Sequence, residues 1–346
     1  MKRSLAYLFI IFPILLILSY PASDRAEEAP VLYVDNAWNF SDGYARVEVA
    51  KRFGFVNTSG KFAIAPTFER ESIFIPPVWD FSEGLAQIKI GERYGYLDKS
   101  GKLVIDPKFD NSWKFSSGLA QVEVGGKMGF IDKTGTLVIP ATFDDADLFS
   151  EGLAPVEMNG KWGFIDKTGK AVIEPSYDDV WKFSEGLAMV ERNDRVGFVD
   201  KTGALVMPPS YDNADSFAEG LAPVEINDQW GFIDKKGNVV IAPAYDDAGR
   251  FSGGLARVER NGLYGFIDKT GAVAIPLESD QVDSFSEGLA AVKVKSLWGF
   301  IDKTGNMIIP AQFDHVNAFS GSYCAVEKND RWGFVDKAGN YLRSAP

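Results

Sequence analysis

The 346-residue chain carries 36 basic against 48 acidic side chains, a formal net charge of −12, and a single cysteine. That balance argues against surfaces that hold phosphate backbones or anionic lipid by charge, so nucleic acid is excluded as a partner. One cysteine excludes an internal disulfide, and apolar burial must hold the fold; 46% of the residues are hydrophobic.

Residues 1–22 read as a signal peptide. Lys2 and Arg3 form a short positive start, Leu5 to Leu18 is almost wholly apolar, and small residues near Ala22 and Ser23 suit cleavage, although Tyr20 fits its position poorly. The apolar run is short for a membrane span. The expectation is an exported, periplasmic or extracellular protein with no stable membrane insertion after cleavage; an N-terminal anchor left uncleaved is the alternative. Loss of Lys2 and Arg3 would leave 34 basic against 48 acidic residues, a net −14. Cys324 lies far from this segment, so it offers no site for N-terminal lipid attachment.

Residues 31–346 form a repeat domain. A phrase built on aromatic-Gly-Phe-Ile-Asp recurs nine times, on Gly54, Gly95, Gly129, Gly163, Gly197, Gly231, Gly265, Gly299 and Gly333, with Met128 and Val196 in place of the aromatic in two copies. The first step is 41 residues and every later one 34, a period that marks a repeat architecture. The long first step reflects an insertion at 70–77, read as a short protruding loop. The chain enters mid-pattern, since Val34-Asp35-Asn36-Ala37-Trp38-Asn39-Phe40 matches Tyr177 to Phe183, and it ends on Tyr341-Leu342-Arg343 in place of the usual Val-Ile-Pro.

The fourth repeat shows the elements best. Asn159-Gly160 between apolar runs predicts a two-residue hairpin turn with positive φ at both positions. Asp166-Lys167-Thr168-Gly169 predicts a second turn, its Asp bonding the backbone ahead. A third strand, Ala171-Val172-Ile173, ends near Pro175, which cannot donate to a ladder. Each repeat is thus a three-stranded antiparallel meander followed by a linker. The turn sets Glu157 opposite Trp162 and Val156 opposite Gly163. Both faces are apolar, so neighbours must stack on both, and Gly163 is expected to leave a hollow for an adjacent ring.

Tryptophans occupy two positions that never coincide in one repeat. Trp162, Trp230, Trp298 and Trp332 precede the motif glycines Gly163, Gly231, Gly299 and Gly333; Trp38, Trp79, Trp113 and Trp181 lie in linkers. Both positions are read as feeding one pocket with room for one indole, with Asp147 accepting the Trp162 indole N–H. The seventh repeat has Gly249 and Tyr264 at these positions and Ser279 in place of Tyr or Phe, so it should be the loosest. The fold expected is all-β: nine tandem 34-residue three-stranded repeats stacked as an open or superhelical solenoid, with a closed propeller-like ring as the alternative.

The run Gly160-Lys161-Trp162-Gly163-Phe164-Ile165-Asp166-Lys167-Thr168-Gly169, with Phe183-Ser184-Glu185-Gly186-Leu187-Ala188 before the next copy, resembles the WG-repeat (KWG) family of bacterial proteins. The resemblance runs from about residue 34 to residue 340. It implies a β-repeat module serving as an interaction or scaffold element, with no catalytic residues to transfer.

The chemistry the residues offer is sparse. His315, the only histidine, lies in a linker, and Cys324 holds a small, buried position; neither has the setting of a base or an activated thiol. Carboxylate pairs such as Asp144-Asp145 and Asp178-Asp179 recur in the linkers, so no single pair stands out as a glycosidase would need. No loop has the alternating spacing of a calcium site, so turn chemistry is preferred over calcium, and neither metal nor cofactor is expected. Glu123, Glu157, Glu191, Glu225 and Glu259 form an acidic stripe if repeats stack, partly balanced by Lys127, Lys161 and Arg195. The expected function is a non-enzymatic exported scaffold binding a protein or peptide partner in the bacterial cell envelope. The alternative is a glycan or peptidoglycan binder stacking sugars on Trp38, Trp79, Trp113 and Trp181.

Overall fold

The computed structural model describes residues 29–69 and 76–345. The expected signal peptide 1–22 and residues 70–75 of the insertion lie outside the described residues. The rest is all-β: nine antiparallel sheets, here called blades 1 to 9 after their motif glycines.

Blade 4 shows how the sequence builds each one. Leu153–Met158 pairs with Lys161–Asp166 across the Asn159-Gly160 turn, where φ is +53° and +73°. Positive φ at both central residues matches the right-handed twist of the flanking strands. Glu157 faces Trp162 and Val156 faces Gly163, as expected from the turn. The second turn is tied by Asp166, whose Oδ1 accepts the backbone N–H of Thr168 (2.8 Å) and of Lys170 (3.2 Å). The third strand runs Ala171–Tyr177.

Three features correct the expectations. First, the linkers are not mere connectors: Asp145–Ala146 pairs with Glu157 and Val156 as a short fourth strand. The same strand occurs as Asp179–Val180 in blade 5, and in blades 2 and 8 it shrinks to a single bridge, Val78 to Ile88 and Val282 to Val292. Second, the hollow beside the motif glycine is filled by backbone. A bulge in the third strand lets Ile173 to Tyr177 span what Phe164 to Trp162 spans in the second, and it brings the Ile173 carbonyl and the Pro175 nitrogen against Gly163. Only at Gly333 does an aromatic ring, that of Tyr341, lie there instead (3.3 Å from a built Cβ).

Third, the stack is not an open solenoid. It closes into a nine-bladed, propeller-like ring. Each interface between blades buries its own apolar cluster. Between blades 4 and 5, Phe164, Ile173 and Tyr177 of one pack on Phe183, Ala188 and Val199 of the next. An open stack of nine units has eight such interfaces; the described residues form nine clusters. The ninth joins Ala325 and Phe334 of blade 9 to Phe40, Ala45 and Val56 of blade 1. Its backbone is continuous too. Val34 donates to the Trp332 carbonyl (2.9 Å) and Leu32 to that of Leu342 (3.0 Å). Val34 thus stands beside Trp332 as Tyr177 stands beside Trp162. Closure needs no new chemistry, because both faces of every blade are apolar and a ring leaves neither bare.

The interfaces share further ties. Edge-on Phe pairs recur, such as Phe164–Phe183 with centroids 4.9 Å apart, each worth ~0.5–1.5 kcal/mol beyond its buried area. A serine hydroxyl donates to the next blade's Phe carbonyl, from Ser150 to Phe183 (2.7 Å) and, across the seam, from Ser320 to Phe40 (2.6 Å). Glu151 accepts the Gly186 N–H (3.0 Å) and pairs with Lys201 (2.9 Å). At the seam Gly321 and Thr58 replace the corresponding Glu and Lys, so both partners of that ion pair change together.

Blade 7, expected to be the loosest, packs less closely on blade 8 at two of its core positions. Ile275 is only partly buried where its counterparts Ile173, Ile241 and Ile309 are buried, and Ser279 takes no part in the cluster with blade 8. A cavity of about 470 Å3 opens beside Gly249, where other repeats carry Trp, Asp or Asn.

Candidate functional site

The linker tryptophans pack, half-buried, on the residue before the motif glycine, which supports the one-pocket reading. Trp38 lies 5.7 Å from Phe53 and Trp79 lies 5.8 Å from Tyr94, while Trp113 shares a cluster with Met128 and Trp181 one with Val196. In blade 4 the polar half of that reading fails. The Asp147 carboxylate accepts the Leu148 backbone N–H (2.6 Å) and lies 3.4 Å from Lys182 rather than bonding the Trp162 indole. Trp162, Trp230, Trp298 and Trp332 are likewise half-buried, each beside its motif glycine and cross-strand from Glu157, Glu225, Lys293 and Glu327 respectively.

Of the four linker tryptophans, two share a cleft. Trp79 and Trp113 line a cavity of about 520 Å3 together with Tyr94, Gln87, Asn111 and Asp147. The first strands tie these blades together beside it. At one register position blades 1 to 3 carry Arg46, Gln87 and Gln121, each reaching a linker carbonyl of the next blade: Val78, Ser112 and Ala146. Arg46 is long enough to lie 4.1 Å from the Trp38 ring centroid and 3.2 Å from Asp80, closing the interval between blades 1 and 2. Gln87 lines the cleft itself. Burial raises the Asp80 carboxyl above its ordinary value, with Arg46 and Lys114 pulling the other way.

The five stripe glutamates fall at one register position of blades 3 to 7, but the expected balance is absent. Lys127, Lys161 and Arg195 instead bind Asp144, Asp178 and Asp212. The glutamates face the short fourth strand, so Asp145 opposes Glu157, Asp179 opposes Glu191 and Asp247 opposes Glu259. Glu123 and Glu225 face Asn111 and Asn213. Directly opposed carboxylates repel. Burial, then Asp179, Asp194 and Asp178, raise the Glu191 carboxyl; burial, then Asp228 and Asp212, raise Glu225. The column is relieved at its ends, where Arg257 pairs with Asp247 (2.6 Å) and Lys293 and Lys89 replace Glu in blades 8 and 2. Sequence pattern located the column but not its like-charge pairing, because the linker strand went unrecognised.

Elsewhere the chemistry is quiet. His315 is exposed, with Nδ1 2.6 Å from Glu327. Cys324 is buried, and burial pushes its thiol up to about 12. Among the described residues no three His, Cys, Asp or Glu side chains converge as a metal site would need, and no helix is long and apolar enough to cross a membrane.

The sequence profile of a family described as "WG containing repeat" matches eight times, on residues 53–94, 94–127, 128–162, 162–195, 197–230, 230–264, 264–298 and 298–332. No curated protein matches the sequence. Among solved structures, a crystal structure of a eukaryotic initiation factor is similar with a TM-score of 0.58 at 13% identity, over 84% of this chain and 92% of that one. That likeness concerns the fold alone. The dihydro-heme d1 dehydrogenase NirN aligns at 0.45 and 13% identity, over 77% of this chain and 74% of its own. PorZ, a surface component of the type-IX secretion system of Porphyromonas gingivalis, aligns at 0.34 and 12%, over 92% and 52%.

Proposed function

The chain belongs to the WG-repeat family, and from that premise we propose that it is an exported, non-enzymatic ring that holds a protein or peptide partner in the bacterial cell envelope. The partner segment is basic and extended, and it lies along the acidic column of blades 4 to 6. One observation carries this reading: Asp145 with Glu157 and Asp179 with Glu191 stand directly opposed across strands, with Glu225 next in line. Such pairing costs the free protein stability and returns it when cations arrive. Repetition at each blade offers several weak contacts in register, which suits an extended chain better than a compact ligand. Export is supported by the apolar run Leu5 to Leu18 behind Lys2 and Arg3.

The test is titration of the full chain with a fluorescent, lysine-rich dodecapeptide at rising salt. Binding should weaken steeply with ionic strength. It should be lost in the triple variant Glu157→Gln, Glu191→Gln, Glu225→Gln, which removes charge without removing shape. A triple variant that binds as well as the parent refutes the proposal. Envelope crosslinking followed by mass spectrometry then identifies the natural partner, whose crosslinked segment must carry net positive charge.

A further inference from the structure

We infer that the cleft between Trp79 and Trp113 is a saccharide-binding site, separate from the acidic column. Its volume of about 520 Å3 falls within the ~300–1,000 Å3 of small-ligand clefts. The walls combine flat apolar faces with planar polar groups. Trp79 and Tyr94 form one aromatic wall, their rings tilted by 48°, and Trp113 stands in the neighbouring blade. The apolar face of a sugar ring packs on such surfaces, while its hydroxyls need fixed donors and acceptors around the edge. Those are present: the amide of Asn111, the carboxylates of Asp80 and Asp147 and the ammonium of Lys114.

The framework is rigid where a binding site must be. The Gln87 amide donates to the Ser112 carbonyl (2.7 Å), and the Tyr96 hydroxyl to that of Trp113 (2.6 Å), which fixes the backbone carrying the second indole. Pre-set walls reduce the entropy lost on binding. The same comparison singles out this pair among the linker tryptophans. Trp38 has the Arg46 guanidinium over its ring; Trp113 and Trp181 touch the core alike, through Met128 and Val196, but Trp113 also lines the cleft that Trp79 lines. Sugar stacking on all four linker tryptophans therefore narrows to two.

Isothermal titration of the full chain with three uncharged probes, the N-acetylglucosamine tetramer, maltotetraose and cellotetraose, tests the assignment. At least one should bind with a dissociation constant of about 1 mM or tighter. Leu148→Trp, at the half-buried lip, should block the cleft without emptying the core and weaken binding by at least about tenfold; Trp113→Phe should weaken it less. Trp230→Phe, in blade 6, should leave it unchanged. The inference is overturned if none of the three probes binds, or if binding survives Leu148→Trp.

Discussion

Replacing Gly231 by Ala tests the packing rule on which every blade depends. Between Trp230 and Phe232 the second strand advances two residues, while the third advances four, from Tyr245 back to Ile241. The extra residues bulge onto Gly231. A Cβ built there lies 2.6 Å from the Ile241 carbonyl oxygen and 2.6 Å from the Pro243 nitrogen. Ordinary contact begins near 3.4 Å, so about 0.8 Å must be found, and both atoms belong to backbone. Moving that backbone also moves Ile241 and Tyr245, which lie in the core shared with blade 7. Overpacking of this kind costs ~1–3 kcal/mol, and the upper end applies because no flexible side chain can yield. In a chain of this length that is a fall in Tm of about 6 °C, at about 2 °C per kcal/mol. Gly160→Ala is the contrast: its φ is +73° but nothing lies within 4 Å, so only left-handed strain of ~1–2 kcal/mol is added. Thermal unfolding followed by circular dichroism compares the two. If Gly231→Ala melts within about 1 °C of the parent, or no lower than Gly160→Ala, the bulge does not explain the motif glycine.

Further consequences concern single contacts. Ala218 stands where other blades carry the serine that bonds the next Phe carbonyl, so Ala218→Ser should add a bond to Phe251 and raise stability by ~0.5–1.5 kcal/mol, read from the denaturation midpoint at constant slope. The Asp166 carboxyl is held below its ordinary value by the Thr168 hydroxyl and then by backbone N–H groups. Its contribution is therefore complete above the unfolded value of ~3.9 and is lost as pH falls below it. Asp166→Asn should flatten the acid limb of the stability profile below about pH 4, while a slope unchanged from the parent would contradict the turn assignment. Cys324, with its thiol pushed up to about 12, should resist alkylation in the native protein and react only in denaturant; rapid native labelling would disprove its burial.

Much of the blade was legible because short-range chemistry decides it. Asn159-Gly160 fixed a turn, the turn fixed the register, and the register placed Glu157 against Trp162. The role of Gly163 was misread because a glycine signals close approach without naming what approaches. Here it is the neighbouring strand of the same sheet, at a bulge that periodicity does not reveal. The short fourth strand was missed because two residues such as Asp145-Ala146 carry no alternation to detect, and with it the opposed carboxylates of the acidic column. Closure left a trace in the match of Val34 to Tyr177, which completes blade 9. That match alone fits a cap on an open stack as well as a strand that closes a ring. The cleft at Trp79 is lined by residues from neighbouring blades, so it exists only once the blades are side by side.

Amide hydrogen exchange at the seam tests the ring most directly. Leu32 and Val34 donate to Leu342 and Trp332, and Trp332 donates back to Val34. In a closed ring these amides open only with the core they cover, so they should exchange as slowly as those of the corresponding strands in blades 4 and 5. Exchange at Leu32 and Val34 near the rate of unstructured peptide, with the other eight interfaces protected, would mean that the blades form an open stack.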